Sequence, residues 1–152
     1  MICLSFFSGC KNSKTISENQ SKKEIQTTPK ILFLNYSIEK TSNVKRSIQF
    51  INKKIVEGKL KPNRLDSLEN GIKGDLIFTE LDKKSKVLNQ ILIKNPLIRT
   101  VEYLDDSKQF QTKIIKSDKT QFSVRLQLKS DTKYITISNF AKNDPLIKTQ
   151  IN

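Results

Sequence analysis

The chain has 152 residues, a net charge of +13 and 36% hydrophobic residues, which suffices for one compact core. It contains no histidine and two cysteines, Cys3 and Cys10. This composition excludes Ser-His-Asp and Cys-His catalysis, histidine-ligated zinc and a histidine pH switch.

The first ten residues join a short apolar stretch to a cysteine. Phe7-Ser8-Gly9-Cys10 is followed at once by the polar run 11–14. This arrangement resembles the signal of bacterial lipoproteins, in which an apolar residue and two small residues precede the cysteine that receives the lipid. The resemblance implies diacylglycerol on the Cys10 sulfur, cleavage before Cys10, and acylation of the new amino terminus with a fatty acid such as palmitate.

Two features of this segment depart from the lipoprotein pattern. Phe7 stands where leucine is more usual, and no basic region precedes the short apolar stretch. We therefore expect translation to start upstream of Met1. The alternative interpretation is a buried first strand with two ordinary core cysteines. By the enterobacterial sorting rule, Lys11 after the cysteine implies an outer-membrane location in the cell envelope.

Residues 11–29 are mostly Lys, Asn, Ser, Thr, Gln and Glu, and the stretch ends at Pro29. Such a composition buries too little apolar surface to offset the entropy of ordering the chain. The predicted divisions are a signal peptide at 1–9, a lipidated cysteine and flexible tether at 10–29, a β-sandwich domain at 30–142, and a C-terminal tail or edge strand at 143–152.

From Lys30 onward, β-branched and aromatic residues alternate with polar ones, which predicts a succession of strands. The predicted strands cover residues 31–38, 46–52, 75–81, 86–94, 97–104, 109–116, 121–129 and 133–140, with a further strand around Ile55 and Val56. One helical turn is expected at 62–70, before the turn Gly71–Gly74. We therefore predict an all-β fold, an antiparallel β-sandwich of about seven or eight strands with Ig-like or transthyretin-like architecture.

The alternation also predicts which side chains enter the core. Leu32, Leu34, Tyr36 and Ile38 share one side of the first strand, and the residues expected inward on the seventh are Phe122, Val124, Leu126 and Leu128. Ser123, Arg125 and Gln127 are expected to point outward.

The folded part is also similar to the β-sandwich domain that precedes the catalytic domain in the IgA-type metallopeptidases. The similarity covers segments 31–60 and 74–140, and is carried by the strand Ile31-Leu-Phe-Leu-Asn-Tyr36 and by the hairpin sequence Leu76-Ile-Phe-Thr-Glu-Leu-Asp82. No functional motif is shared, and the zinc-binding histidines of that family have no counterpart. The resemblance implies a non-catalytic accessory module.

Two groups of carboxylates are candidates for acid–base chemistry or Ca²⁺ binding. Glu102 lies near Asp105-Asp106 in sequence, and Asp66 and Glu69 could share one face of a helical turn. Aspartate is, however, an ordinary turn residue, because its side chain bonds to the local backbone. We therefore predict no catalytic residue, no metal ligand and no cofactor.

The basic residues are overwhelmingly lysine, and the arginines are Arg46, Arg64, Arg99 and Arg125. Two interpretations stay open: the composition of an AT-rich genome, or a functional surface for lipid phosphates or acidic glycans. Nucleic acid is not predicted as a partner, because the lysines are spread along the chain without a basic motif. Tyr36, Tyr103 and Tyr134 could bind sugars or a protein, but we expect them at the sandwich periphery with their hydroxyls in water.

Together these features predict a membrane-anchored envelope lipoprotein whose β-sandwich is a non-catalytic binding or accessory module for a protein or glycan partner. We expect the lipid anchor to bind the membrane. The expected further partner is an envelope protein, an anionic glycan or a lipid. The alternatives are a structural or assembly subunit of an envelope complex and, less favoured, a carboxylate-dependent hydrolase such as a glycosidase.

Overall fold

The computed structural model describes residues 28–42, 45–61, 68–140, 142 and 144–151. Its nine strands are β1 (Lys30–Lys40), β2 (Arg46–Glu57), β3 (Leu76–Leu81), β4 (Val87–Ile93), β5 (Ile98–Leu104), β6 (Phe110–Lys116), β7 (Lys119–Leu128), β8 (Tyr134–Asn139) and β9 (Pro145–Gln150). Helical structure in these ranges is one 3₁₀ turn at Leu68–Asn70, so the rest of the helical turn expected at 62–70 lies outside the described residues. No helix of the described part could span a bilayer.

The strands form three antiparallel sheets. One sheet has the order β2-β1-β7, a second has the order β4-β3-β8-β9, and β5 pairs with β6 alone. The first two sheets enclose the core. The prediction of an all-β antiparallel sandwich is therefore confirmed, with nine strands rather than seven or eight.

The core forms where the inner faces of the two large sheets meet. Along β1, every second residue is fully buried, and β7 adds the half-buried Phe122 and Leu128, which pack against the same cluster. Each buried Leu or Ile side chain contributes about 1.5–3 kcal/mol relative to an exposed one. The buried members of the cluster are Leu32, Leu34, Tyr36, Ile38, Ile48, Leu76, Phe78, Ile91, Leu97, Val124, Leu126, Ile135, Ile137 and Ile151. The shared side predicted for the four residues of the first strand and the inward residues predicted for the seventh strand are confirmed.

β2 is one continuous strand, whereas the sequence suggested a break before Ile55. The register against β1 shifts between Asn35 and Tyr36, so that Ile51 has no partner on β1. This bulge moves the following residues to the opposite face and places Lys53 on the inner side. The Lys53 ammonium donates to the backbone carbonyl of Ile151 and so joins the edge of β2 to the end of β9.

At the C-terminal end, β9 pairs with β8 as the edge strand of the second sheet. Pro145 opens this strand at a position where a missing N–H is tolerated. Ile151, just after the strand, is 1% exposed and belongs to the core cluster. Of the two states expected for 143–152, the described residues therefore show the edge strand.

Tyr36 corrects the expectation that the tyrosine hydroxyls face water. The side chain is fully buried, stacks on Phe122 with ring centroids 5.7 Å apart, and donates its hydroxyl to Thr149 Oγ1 at 3.2 Å. Burial raises the pKa of Tyr36, and the hydrogen bond to Thr149 partly offsets that rise. Tyr36 is thus a core residue with a satisfied polar end.

Glu80 is a carboxylic side chain that lies in the core rather than in a turn. It follows Leu76 and Phe78 in the period-2 pattern of β3, so it faces inward and is fully buried. One oxygen, Oε1, accepts a hydrogen bond from Thr132 Oγ1. The other, Oε2, has no hydrogen-bond partner within the described part of the chain.

We expect Thr132→Val to destabilise the protein by about 1–3 kcal/mol, because it removes the hydroxyl donated to a buried carboxylate. Thr136→Val on β8 is the matched control, since no hydrogen bond of its hydroxyl is observed in the described structure, and its effect should stay within about 0.5 kcal/mol. Urea unfolding of both variants measures the difference. Equal stabilities would show that the Thr132 bond contributes little.

Candidate functional site

A cleft of about 540 Å³ opens at one end of the sandwich. The ends of β1 and β4 and the beginnings of β2 and β3 lie at this end. The β5–β6 hairpin also joins the two large sheets here. Antiparallel connectivity brings these chain segments together, because alternate turns of a sandwich lie at the same end.

Positive charge dominates the lining of the cleft. Six cationic side chains line it, and they are Lys40, Lys45, Arg46, Lys73, Lys116 and Lys142. Among the described residues of the lining, Asp118 is the one that carries a carboxylate. In the described part of the chain, none of these lysines forms an ion pair. Clustered like charges in a concave surface focus the electrostatic potential and attract anions.

Arg46, the first residue of β2, forms the floor of the cleft. Its Nη1 donates to the carbonyl of Gly74 at 2.5 Å and, more weakly, to Asn95 Oδ1 at 3.4 Å. Its Nη2 donates to Asn139 Oδ1. One guanidinium thereby connects the turn before β3, the segment after β4 and the end of β8. All three acceptors are neutral groups.

A buried carboxylate, Asp75, lies beneath this floor. Its Oδ1 accepts from the backbone N–H of Asn95 at 2.9 Å, and its Oδ2 accepts from that of Ile72 at 3.1 Å. Lys94 lies 3.4 Å from Oδ2 and forms a salt bridge. Burial lowers the pKa of Arg46, while the charge of Asp75 opposes that change. Asp75 thus organises the loops without occupying the cleft.

The remaining walls are fixed by backbone hydrogen bonds. Lys40 N–H donates to the carbonyl of Asp118 at 2.7 Å, and Ser117 N–H donates to that of Leu97 at 2.9 Å. The second bond holds the root of the β5–β6 hairpin closed at the cleft rim. These hydrogen bonds join backbone atoms only. The backbone of the walls is therefore held in place without the lysine side chains.

Gly74 allows the close approach on which the cleft floor depends. Its φ of +108° lies in a region that other residues rarely adopt, and an added Cβ would lie 3.0 Å from Asn95 Nδ2. We expect Gly74→Ala to destabilise the protein by about 1–3 kcal/mol and to disturb Asn95 and Arg46. Thermal unfolding and the amide NMR spectrum measure both effects. An unchanged melting temperature would contradict this role for Gly74.

The carboxylate candidates do not converge on the cleft. Glu102 lies on β5 opposite Thr112, and Asp105 organises the hairpin turn by accepting from the N–H groups of Ser107 and Gln109, each at 2.9 Å. Hydrogen bonds from Gln109 and Gln111 lower the pKa of Asp105. Asp106 is exposed in the same turn.

For the second carboxylate pair, Asp66 and Glu69, the structure describes only one of the two residues. Asp66 lies outside the described residues, and Glu69 lies in the 3₁₀ turn. Within the described ranges, no group of three or more Cys, Asp or Glu side chains could hold a metal ion.

Two tyrosines lie at the surface. Tyr103 is 48% exposed on the hairpin, and the half-buried Tyr134 has the ammonium of Lys148 at 4.2 Å from its ring centroid. Tyr36 is in the core, so the three tyrosines do not form one aromatic binding surface.

Comparison with protein-family models, curated proteins and solved structures gives no match. The resemblances to lipoproteins and to the IgA-type metallopeptidase domain therefore stay predictions, and Cys10 lies outside the described residues. The basic cleft itself carries no sequence motif, since its cations are scattered from residue 40 to residue 142. In the sequence, the excess of lysine was the one feature that could have indicated a basic surface.

Proposed function

We propose that this protein is a lipid-anchored, non-catalytic binding module of the cell envelope that holds an anionic ligand in its basic cleft. The observation that carries the proposal is the set of six cations and one carboxylate around the cleft of about 540 Å³. A cavity of this size suits a few sugar units or a headgroup. Lipidation of Cys10 and an outer-membrane location belong to the same proposal.

The direction of β1 favours a glycan over the anchoring membrane as the ligand source. The chain enters this strand at Lys30 and reaches the cleft at Lys40, ten residues later. At about 3.3 Å per residue, these ends lie about 33 Å apart. The cleft therefore lies at the end of the sandwich opposite the point where the tether joins, which leaves it open to an acidic polysaccharide.

The chemistry of the cleft suits binding rather than turnover. Lysine and arginine supply donors and positive charge, while Asp118 is the one carboxylate in the lining. Glycoside hydrolysis ordinarily needs two carboxyl groups flanking the scissile bond. We expect Arg46 to bind a carboxylate or phosphate group of the ligand, while the ammonium groups of the lining add attraction at long range.

Isothermal titration of an oligogalacturonate into the purified protein tests this function. We expect Lys73→Glu combined with Lys142→Glu to weaken binding about tenfold or more, because each reversal replaces attraction with repulsion. Lys83→Glu combined with Lys86→Glu makes the same change in net charge at the β3–β4 turn, the opposite end of the sandwich. That control should keep most of the affinity.

The outcomes separate the possible ligand sources. If phosphatidylglycerol vesicles bind as tightly and the cleft variant abolishes this binding, the anion is a lipid headgroup and not a glycan. If both double variants weaken binding equally, net charge alone governs the interaction and the cleft is not a site. Affinity should also fall steeply as salt rises beyond ~0.15 M, where the screening length is about 8 Å.

A further inference from the structure

The β5–β6 hairpin is a two-stranded sheet that pairs with neither large sheet. Its seven-residue strands extend from the cleft rim and are mostly exposed along their length. An isolated hairpin is only marginally stable in water, and both of its edges present unpaired backbone groups. We call this β5–β6 hairpin the arm. Its exposure and its unpaired edges are features of a segment that pairs with another chain.

Apolar side chains are exposed on both faces of this arm. The register places the even-numbered residues of both strands on one face and the odd-numbered residues on the other. The exposed large hydrophobic residues are Ile98, Leu104, Phe110 and Ile114 on the even face, and Tyr103 and Ile115 on the odd face. Phe110 is 78% exposed, which is unusual for a phenylalanine without a partner.

We propose that the partner is a second copy of this chain, joined through antiparallel pairing of the two β5 edges around a two-fold axis at Val101. Charge along the arm supports self-pairing. The turn at the tip carries Asp105, Asp106 and Lys108, a net charge of −1 from two carboxylates and one ammonium group, while the root carries Arg99 and Lys116. Two antiparallel arms place the acidic tip of each beside the basic root of the other, as a self-complementary two-fold interface requires.

The side chains of β5 also match in this register. Ile98 lies opposite Leu104 of the second copy, and Arg99 lies opposite its Tyr103, over whose ring a guanidinium can stack. Val101 meets Val101 at the axis. The corresponding pairing of β6 edges would centre on Lys113 and place two ammonium groups directly opposite each other, which disfavours it.

Cysteine cross-linking of the full chain tests this register. Both native cysteines are first replaced by serine, and then Val101→Cys is compared with Lys113→Cys, the matched position at the centre of β6. Directly opposed residues of antiparallel strands lie within the Cα separation that a disulfide spans. We expect Val101→Cys to form a disulfide-linked dimer on mild oxidation and Lys113→Cys to form no disulfide between chains.

Sedimentation of the cysteine-free protein provides the second measurement. It should show twice the 17.5 kDa of one chain, and Val101→Lys should raise the dimer dissociation constant about tenfold or more. A monomer at micromolar concentrations would overturn the proposal, as would cross-linking of Lys113→Cys in place of Val101→Cys. A monomer that binds phosphatidylglycerol vesicles through the arm would assign the apolar faces to a bilayer instead.

Discussion

Replacing Cys10 with serine is expected to move the protein from the membrane fraction to the soluble fraction. In the proposed lipoprotein signal Phe7-Ser8-Gly9-Cys10, the Cys10 thiol is the group that would receive the lipid. Several acyl chains anchor stably at about 0.8 kcal/mol per buried CH₂, so their loss should remove nearly all membrane binding.

The measurement is metabolic labelling with a fatty acid, followed by membrane fractionation. The wild type should take up label, and Cys10→Ser should take up none. Cys3→Ser is the matched control, because Cys3 would leave with the signal peptide and its replacement should change neither labelling nor fractionation. Label retained in Cys10→Ser would refute lipidation at this residue.

Arg46→Met should cause the largest loss of stability among single changes in the cleft, about 2–4 kcal/mol. The substitution removes three hydrogen bonds from a charged donor and leaves the acceptors on Gly74, Asn95 and Asn139 without it. Arg46→Lys should recover the charge but not the three-way connection, because an ammonium group cannot reproduce the guanidinium fork.

Urea unfolding measures this effect, with Arg125→Met as control. Arg125 is exposed on the outer face of β7, and no hydrogen bond of its side chain is observed among the described residues, so its replacement should change stability by less than about 0.5 kcal/mol. If Arg46→Met and Arg125→Met unfold at the same urea concentration, Arg46 does not hold the three chain segments together.

Much of the sandwich could be predicted from sequence because most of its strands alternate regularly. The pattern fails at β2, where the bulged Ile51 reverses the alternation and Lys53 then occupies an inward position. A bulge depends on the partner strand, so one strand's sequence does not reveal it. Glu80 was in principle predictable, because Leu76 and Phe78 set the phase that turns it inward.

The hairpin and the cleft were less accessible to sequence reasoning. Apolar residues on both faces of β5 and β6 ordinarily indicate burial between two layers, but in this fold both faces are largely exposed. The cleft depends on long-range topology, because Arg46 meets Asn95 and Asn139 through turns that are distant in sequence. Composition could indicate excess lysine but could not locate where the charges gather.

An amide NMR titration of the ¹⁵N-labelled protein with an oligogalacturonate tests the anion-binding claim most directly. The account predicts saturable shifts at Gly74, Asn95, Lys116 and Lys142, with little change in the Asp82–Lys86 turn at the opposite end. The shifts should also disappear in the Lys73→Glu and Lys142→Glu double variant. Saturable shifts centred on the opposite turn, or none at any ligand concentration, would contradict the assignment of the basic cleft as the binding site.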